Sequence, residues 1–469
     1  MELLTINKNV FREFKDGVMV FPGIYLNKTA AYFWESSLLF GDIKNHDLKM
    51  YLLGKIKNNF QDLPPDSVIE KDLESFIDGC IRSGLFESTG NGGRQSHKNL
   101  AADTNYIPKA ELVLTHNCNF RCRHCFIEAK KEIADEMSIK QWEVVLKKLL
   151  NMGLIHLILS GGEPGSCRHL ADILKLLEKG PNLFINILTN GSLMGATNLI
   201  EQLGRFSGGV NMQISLNSVN EEGYKQFTGQ TRHSLSETLT NIKRLISAGI
   251  RPKIITQVNS ENIESILNGA FIETLDKLGV KHWVIQPYWR SIGRALSPGS
   301  FLQVDAERSH RFVRDLERNR KRFENEHDVK IVMDSVASLT YGTDFYIDEY
   351  SYSACKGYSN SIAVNSDGEI YSCSEFISFG KNAVGNVLNL SEEEIITSLH
   401  SLKVLMREEV ASISGICASC GIKGTCKGGC RADAFGGGEK DGLSPRLCEI
   451  LRQKNLFPEE LLTGVEAMC

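Results

Sequence analysis

Three cysteines form a Cys-x3-Cys-x2-Cys pattern, Cys118, Cys122 and Cys125, within the stretch Thr115-His116-Asn117-Cys118-Asn119-Phe120-Arg121-Cys122-Arg123-His124-Cys125-Phe126. Thiolates so spaced on one loop can hold three corners of a cubane iron–sulfur cluster and leave its fourth iron without a protein ligand, open to chemistry. A tetrahedral zinc site is the competing use of the same side chains, with His116 or His124 completing an N/S set. A second group, Cys355, Cys373, Cys417, Cys420, Cys426, Cys430 and Cys448, fills the last quarter of the chain. Clustered thiols in a chain whose N-terminus lacks a basic-then-apolar leader read as metal ligands, not as a disulfide framework.

The remaining composition narrows the class. A chain of 469 residues with 42% hydrophobic side chains exceeds one ordinary core and should divide into several domains. Net charge is −4, which removes the broad basic face that nucleic-acid binding requires. No apolar run reaches the length of a membrane span, so a soluble, cytoplasmic protein with no membrane partner is expected. Cys80 and Cys167 read as small buried hydrophobes, and Cys469 as a tail thiol.

The elements that must position these thiols follow from periodicity. From Ala110 to about Arg294, β-prone runs at Glu111–Thr115, Ile155–Ser160, Phe184–Thr189, Val210–Leu216, Lys253–Val258 and His282–Gln286 alternate with amphipathic segments. The helices are expected near Ser138–Asn151, Arg168–Glu178, Gly195–Leu203, Leu235–Ala248 and Ile263–Leu278. This alternation predicts an α/β fold with a parallel sheet and right-handed crossovers, an open, partial (β/α)6 barrel. Loops at the C-terminal ends of such strands build active sites. That rim collects the cysteine loop, Gly161-Gly162-Glu163-Pro164, Asn190 and Asn217. Glycines at 161 and 162 would let backbone approach a ligand, and Glu163 could accept hydrogen bonds from an ammonium group.

Upstream, β-prone runs at Val10–Phe14, Val18–Phe21 and Ile24–Leu26 precede helical patterns at Lys28–Ser36, Asp47–Asn59 and Asp66–Ser83, the last with Val68, Leu73, Phe76, Ile77, Cys80 and Ile81 at helix spacing. A winged-helix-like domain over 1–88 is expected, then a Gly/Ser/Asn-rich linker over 89–105. Residues 106–295 hold the barrel and 296–350 a charged helical bridge centred on Asp305–Glu324. Residues 351–469 form a small, metal-stapled domain and tail.

The three-cysteine loop, the Gly-Gly-Glu-Pro turn and the partial barrel resemble the radical S-adenosylmethionine superfamily over roughly 106–295. The resemblance implies a [4Fe–4S] cluster on Cys118, Cys122 and Cys125 whose open iron chelates S-adenosylmethionine. It also implies reductive cleavage to a 5′-deoxyadenosyl radical that removes hydrogen from an inert carbon. It further implies cosubstrate contacts from His124, Gly161, Gly162, Glu163, Pro164, Asn190, Ser215, Asn217 and Gln286. The family usually has an aromatic residue where this chain has His124.

The seven C-terminal cysteines, with Gly368 before Cys373, look like the SPASM domain. That resemblance implies two auxiliary [4Fe–4S] clusters, one on Cys355, Cys373 and Cys430 and one on Cys417, Cys420, Cys426 and Cys448, for three clusters in all. The first has three ligands, so an open iron or another closing group is implied. Zinc knuckles are the competing use of Cys417-x2-Cys420. Residues 11–14, 18–21 and 26–34 are similar to the PqqD-like element that binds the leader of ribosomally made peptides by strand addition. A DNA-binding winged helix fits poorly, because its helices mix acidic with basic residues.

Together these imply a radical maturase of a precursor peptide, bound through its leader, that forms an intrapeptide crosslink such as a Cys thioether. Flavodoxin or ferredoxin would serve as the reductant. Carbon–carbon crosslinking, epimerisation and formylglycine formation are the alternative reactions, and a thiol-rich metal carrier is the non-enzymatic one.

Overall fold

The computed structural model describes residues 3–6, 11–14, 17–20, 24–27, 42–59, 65–82, 86–89, 107, 109–125, 127, 136–154, 156–179, 183–193, 197–206, 210–229, 232–287, 304, 306–333, 361–379, 383–411 and 432. The chain divides into two compact units, residues 1–105 with 181–183, and residues 106–180 with 184–469.

In the first unit, β1 (Leu3–Ile6) pairs antiparallel with β5 (Asp42–Lys44) on one edge and β6 (Phe86–Thr89) on the other. A separate antiparallel meander joins β2 (Phe11–Phe14), β3 (Gly17–Val20) and β4 (Ile24–Asn27), close to the three strands expected there. Helices α1 (Asn45–Asn59) and α2 (Asp66–Arg82) bury Leu48, Leu52, Ile56, Leu73 and Ile77. Lys57 and Asp66 form an ion pair of 2.6 Å between the end of one helix and the start of the next. Val68, counted in the expected apolar stripe, is 45% exposed. The expected helix at 28–36 and residues 90–105 of the linker lie outside the described residues.

Among the described residues, the second unit is organised around a ten-stranded sheet. Seven parallel strands lie in sequence order: β7 (Lys109–Val113), β8 (His156–Ser160), β9 (Phe184–Thr189), β10 (Val210–Ser215), β11 (Lys253–Val258), β12 (His282–Pro287) and β13 (Lys330–Met333). The period-two pattern explains their placement. Leu112, Leu159, Ile187, Met212, Ile214, Ile254 and Trp283 are fully buried on one face, while Gln213, Lys253 and Gln257 on the other are half-buried. Trp283 stacks on Phe271 at 4.9 Å and donates its indole N–H to Thr256 Oγ1 at 2.8 Å.

Helices α3 (Ile139–Asn151), α4 (Leu170–Lys179), α5 (Thr197–Gly204), α6 (Glu221–Thr228) and α7 (Leu235–Ser247) alternate with the strands, followed by α8 (Ile263–Leu267), α9 (Ala270–Leu278) and α10 (Ala306–Glu326). Capping boxes start α3 at Ser138/Gln141 and α7 at Ser234/Glu237. The single helix expected over 263–278 is two, because Gly269 takes φ +89° between them.

Two further departures concern the sheet's extent. The segment expected as a helical bridge contributes a crossover helix, α10, and a seventh parallel strand, β13. The cysteine-rich C-terminal segment contributes β14 (Ser361–Val364), which adds in parallel to the other edge of β7. Beyond it, β15 (Glu369–Tyr371) and β16 (Gly385–Asn386) continue antiparallel, and α11 (Glu392–Ala411) follows. No described helix is long and apolar enough to cross a membrane.

Candidate active site at the cysteine loop

The cysteine loop leaves β7 at Val113 and is pinned on both flanks. Thr115 is fully buried; its hydroxyl donates to the Glu136 carboxylate and accepts the Asn117 N–H at 2.9 Å. The Gly-Gly-Glu-Pro turn then runs alongside, with Gly162 N–H donating to Thr115 O at 2.7 Å and Glu163 N–H to Asn117 O at 2.9 Å. A Cβ at Gly161, where φ is +143°, would sit 2.4 Å from Thr115 O, and one at Gly162 2.4 Å from Asn117 O. The close backbone approach that these glycines permit is therefore between two loops.

The other flank is α6, which the sequence reading missed. Arg121 N–H donates to Thr228 O at 2.8 Å and Arg123 N–H to Phe227 O at 3.3 Å, so the last carbonyls of that helix are satisfied by the cysteine loop. Phe120 packs edge-on against Tyr224 at 6.0 Å, and His124 lies 4.6 Å from the Phe227 ring. Asn220 caps the helix start through Gly223 N–H, and Gly229 at φ +60° ends it. Asn220-Glu221-Glu222 and Gly229 are the start and stop signals that could have revealed it.

Cys118 is buried, while Cys122 and Cys125 are half-buried, and Cys125 N–H closes a turn onto Cys122 O at 3.2 Å. Burial pushes the Cys118 thiol up to about 11, with the negative charge of Glu163 and Cys125 adding to it and the Phe120 N–H and Arg121 opposing it. A metal-free Cys118 therefore keeps its proton at neutral pH, and a metal must displace that proton to bind. Both imidazoles that could complete a zinc site are placed otherwise: His116 Nε2 lies 2.6 Å from Asn365 Oδ1, and His124 is against Phe227. Among the described residues no three His, Cys, Asp or Glu side chains converge on one metal ion.

The rest of the rim forms a hydrogen-bonded lattice. Glu163 is fully buried and accepts from Thr189 Oγ1 at 2.7 Å, Asn190 N–H at 2.7 Å and Gly165 N–H at 3.1 Å. Its observed partners are these protein donors. Burial raises its carboxyl above the usual range, and the three donors oppose that shift. Asn190 Nδ2 donates to Asn119 Oδ1 at 3.0 Å and lies 3.9 Å from Cys118 Sγ, while its Oδ1 accepts from Ser192. Asn241 of α7 fixes the same loop by donating to Gly191 O and Ser192 O. Asn119, Ser192 and Asn241 were not singled out from sequence.

Farther along the rim, Ser215 is exposed at the end of β10. Asn217 Oδ1 accepts from Gln257 N–H at 2.6 Å, and Gln257 Nε2 donates to Gln286 Oε1 at 3.1 Å. A cavity beside them is lined by Asn217, Ser218, Phe227, Asn259, Glu261 and Asn262. The structure thus brings Cys118, Gly161, Gly162, Glu163 and Asn190 into one contact set with His124 on its α6 flank, and Asn217, Gln257 and Gln286 into another. Pro164 is buried at the start of the short turn Pro164–Ser166, and Cys167 follows it as a buried thiol.

Of the C-terminal cysteines, only Cys373 falls within the described residues; Cys355, Cys417, Cys420, Cys426, Cys430 and Cys448 lie outside them. Cys373 and Cys125 both pack against one apolar cluster of Val113, Ile127, Ala363, Tyr371, Phe376 and Ile377.

Residues 112–268 match the family model of the Radical SAM superfamily. Over 357 residues the chain is 27% identical to the antilisterial bacteriocin subtilosin biosynthesis protein AlbA of Bacillus subtilis (strain 168), an alignment covering 71% of this chain and 72% of AlbA. It is also 27% identical over 213 residues to the sporulation killing factor maturation protein SkfB of the same strain, covering 43% of this chain and 48% of SkfB, about half its length. The crystal structure of Streptococcus suis SuiB bound to precursor peptide SuiA shares the fold, with a TM-score of 0.59 at 16% identity, over 95% of this chain and 100% of that one. With its cysteine loop inside the matched segment, the chain is a radical SAM enzyme homologous to these maturation proteins.

Proposed function

We propose that this enzyme matures a ribosomally synthesised precursor peptide by forming an intrapeptide crosslink, a thioether between a Cys sulfur and a backbone or side-chain carbon. The observation that carries this reading is the alignment with AlbA, which spans most of both chains and extends well beyond the radical SAM segment. The cluster and S-adenosylmethionine, when bound, supply a 5′-deoxyadenosyl radical that removes hydrogen from an unactivated carbon. Cys118, Cys122 and Cys125 hold the cluster. The Gly161–Pro164 turn and Asn190 keep the cysteine loop rigid, with Glu163 as the internal anchor between them. Together with that turn and Asn190, His124, Ser215, Asn217 and Gln286 contact the cosubstrate, and the buried flanks at Thr115, Phe120 and Tyr224 keep water from behind the loop.

Cys355, Cys373 and Cys430 ligate a first auxiliary cluster, and Cys417, Cys420, Cys426 and Cys448 a second, in a SPASM-like domain. Residues 1–88 bind the leader as an added strand, a role supported by the short antiparallel strands of β2–β3–β4. Flavodoxin or ferredoxin supplies electrons in the cytoplasm. Mass spectrometry of a co-expressed precursor tests the reading: each thioether removes two hydrogens, one from carbon and one from the thiol. A precursor that returns unmodified, or with a different mass change, overturns it.

A further inference from the structure

We infer that Asn365, in the turn between β14 and β15, is a positioning residue for the cysteine loop and acts through His116. Asn365 Oδ1 lies 2.6 Å from His116 Nε2, a contact spanning 249 positions of sequence, and Asn365 is only 7% exposed. His116 is two residues before Cys118 on the same loop. Its main chain is confined by the glycine turn, since a Cβ at Gly162 would come within 2.7 Å of His116 O. Its side chain is held by Asn365.

The turn that presents Asn365 is itself fixed. Asn365 N–H donates to Glu369 O at 2.8 Å and Gly368 N–H to Asn365 O at 2.9 Å. Gly368 takes φ +90° beneath Asn386, where a Cβ would meet the carboxamide at 2.8 Å. Because β14 pairs with β7 in parallel, with Val364 opposite Leu112, the turn emerges at the end of the sheet from which the cysteine loop departs. A second tether is independent of His116: Met137 N–H donates to Ser366 O at 2.8 Å, and Ser366 is 1% exposed. The C-terminal segment thus grips the Cys118 end of the loop, while α6 grips the Arg121–Arg123 segment.

This asymmetry gives the test. In the metal-free full-length chain, Asn365→Leu, which keeps the branched shape and loses the acceptor, should accelerate hydrogen exchange of the 116–119 amides about tenfold and leave 121–125 unchanged. Asn365→Asp, which keeps the acceptor, should restore protection. His116→Leu should reproduce the effect, and the double variant should be no worse than either single one, because both remove the same contact. After identical anaerobic reconstitution, the Leu variants should shift the midpoint potential or electron paramagnetic signature of the cluster relative to wild type. Unchanged exchange in Asn365→Leu, or additive effects in the double variant, would overturn the assignment. So would acceleration spread equally over α3. The inference rests on reading the three cysteines as cluster ligands; failure of that reading would show as wild-type protein that takes up no iron, with the exchange result standing apart.

Discussion

Glu163 gathers donors from two loops onto one buried carboxylate, and its position shows how a residue's type can be legible while its role is not. Asp and Glu are almost never fully buried without partners, so an acidic residue after two glycines at a strand end suggests a ligand contact. Only the structure places Thr189, Asn190 and Gly165 around it. Burial raises its folded pKa above the ordinary value near 4.5. The folded chain then holds this proton more tightly than the unfolded chain. The resulting stabilisation is complete below the ordinary value and is lost as pH rises through the raised one. Glu163→Gln keeps the shape and removes the titration. Urea unfolding of the metal-free chain from about pH 4 upward should therefore show wild-type stability falling relative to the variant, then levelling. A difference independent of pH would refute this.

At the scale of the element, α6 is the part of the site that sequence reading passed over. It has only eight residues between Glu221 and Thr228, too few for a periodic pattern to stand out from a loop. Its end matters because the carbonyls of Phe227 and Thr228 receive the Arg123 and Arg121 amides. Gly229→Val would place a β-branched residue at φ +60° with its Cβ 2.9 Å from Arg121 O. The backbone term alone costs roughly 1–2 kcal/mol. The expected result is a lower urea midpoint and faster exchange at the Arg121 and Arg123 amides; a variant matching wild type at both would remove the clamp from consideration. The fusion of α8 and α9 in the sequence reading has a similar cause. Ile263, Ile266, Phe271, Ile272 and Leu275 keep a helical period across the break, and the turn at Gly269 interrupts the backbone without interrupting the apolar face.

At the scale of the molecule, two sheet edges were decided by pairing between distant segments. Lys330–Met333 is a four-residue strand behind a highly charged helix, and Ser361–Val364 lies among glycines and cysteines that suggest irregular structure. Each becomes a strand because an edge of the parallel sheet supplies its hydrogen-bond partners. The chain divides into two compact units, so the leader-binding role proposed for the first can be tested by deletion. Deleting residues 1–88 should abolish precursor binding, measured by fluorescence anisotropy of a labelled leader, while the reduced, reconstituted remainder still forms 5′-deoxyadenosine without substrate. Retained binding by the truncated chain would move leader recognition elsewhere.

Side-chain chemistry at fixed spacing, strand and helix periodicity, and the glycine positions were determined by the sequence itself, because they depend on neighbours within a few residues. The cysteine loop, four of the five expected barrel helices and the six strands from β7 to β12 belong to that class. Tertiary structure alone decided that Gly161 and Gly162 admit a neighbouring loop, that Glu163 is an internal anchor, and that His116 meets Asn365. Those facts depend on which surfaces fold against one another, and contacts across 249 positions leave no local periodicity to read.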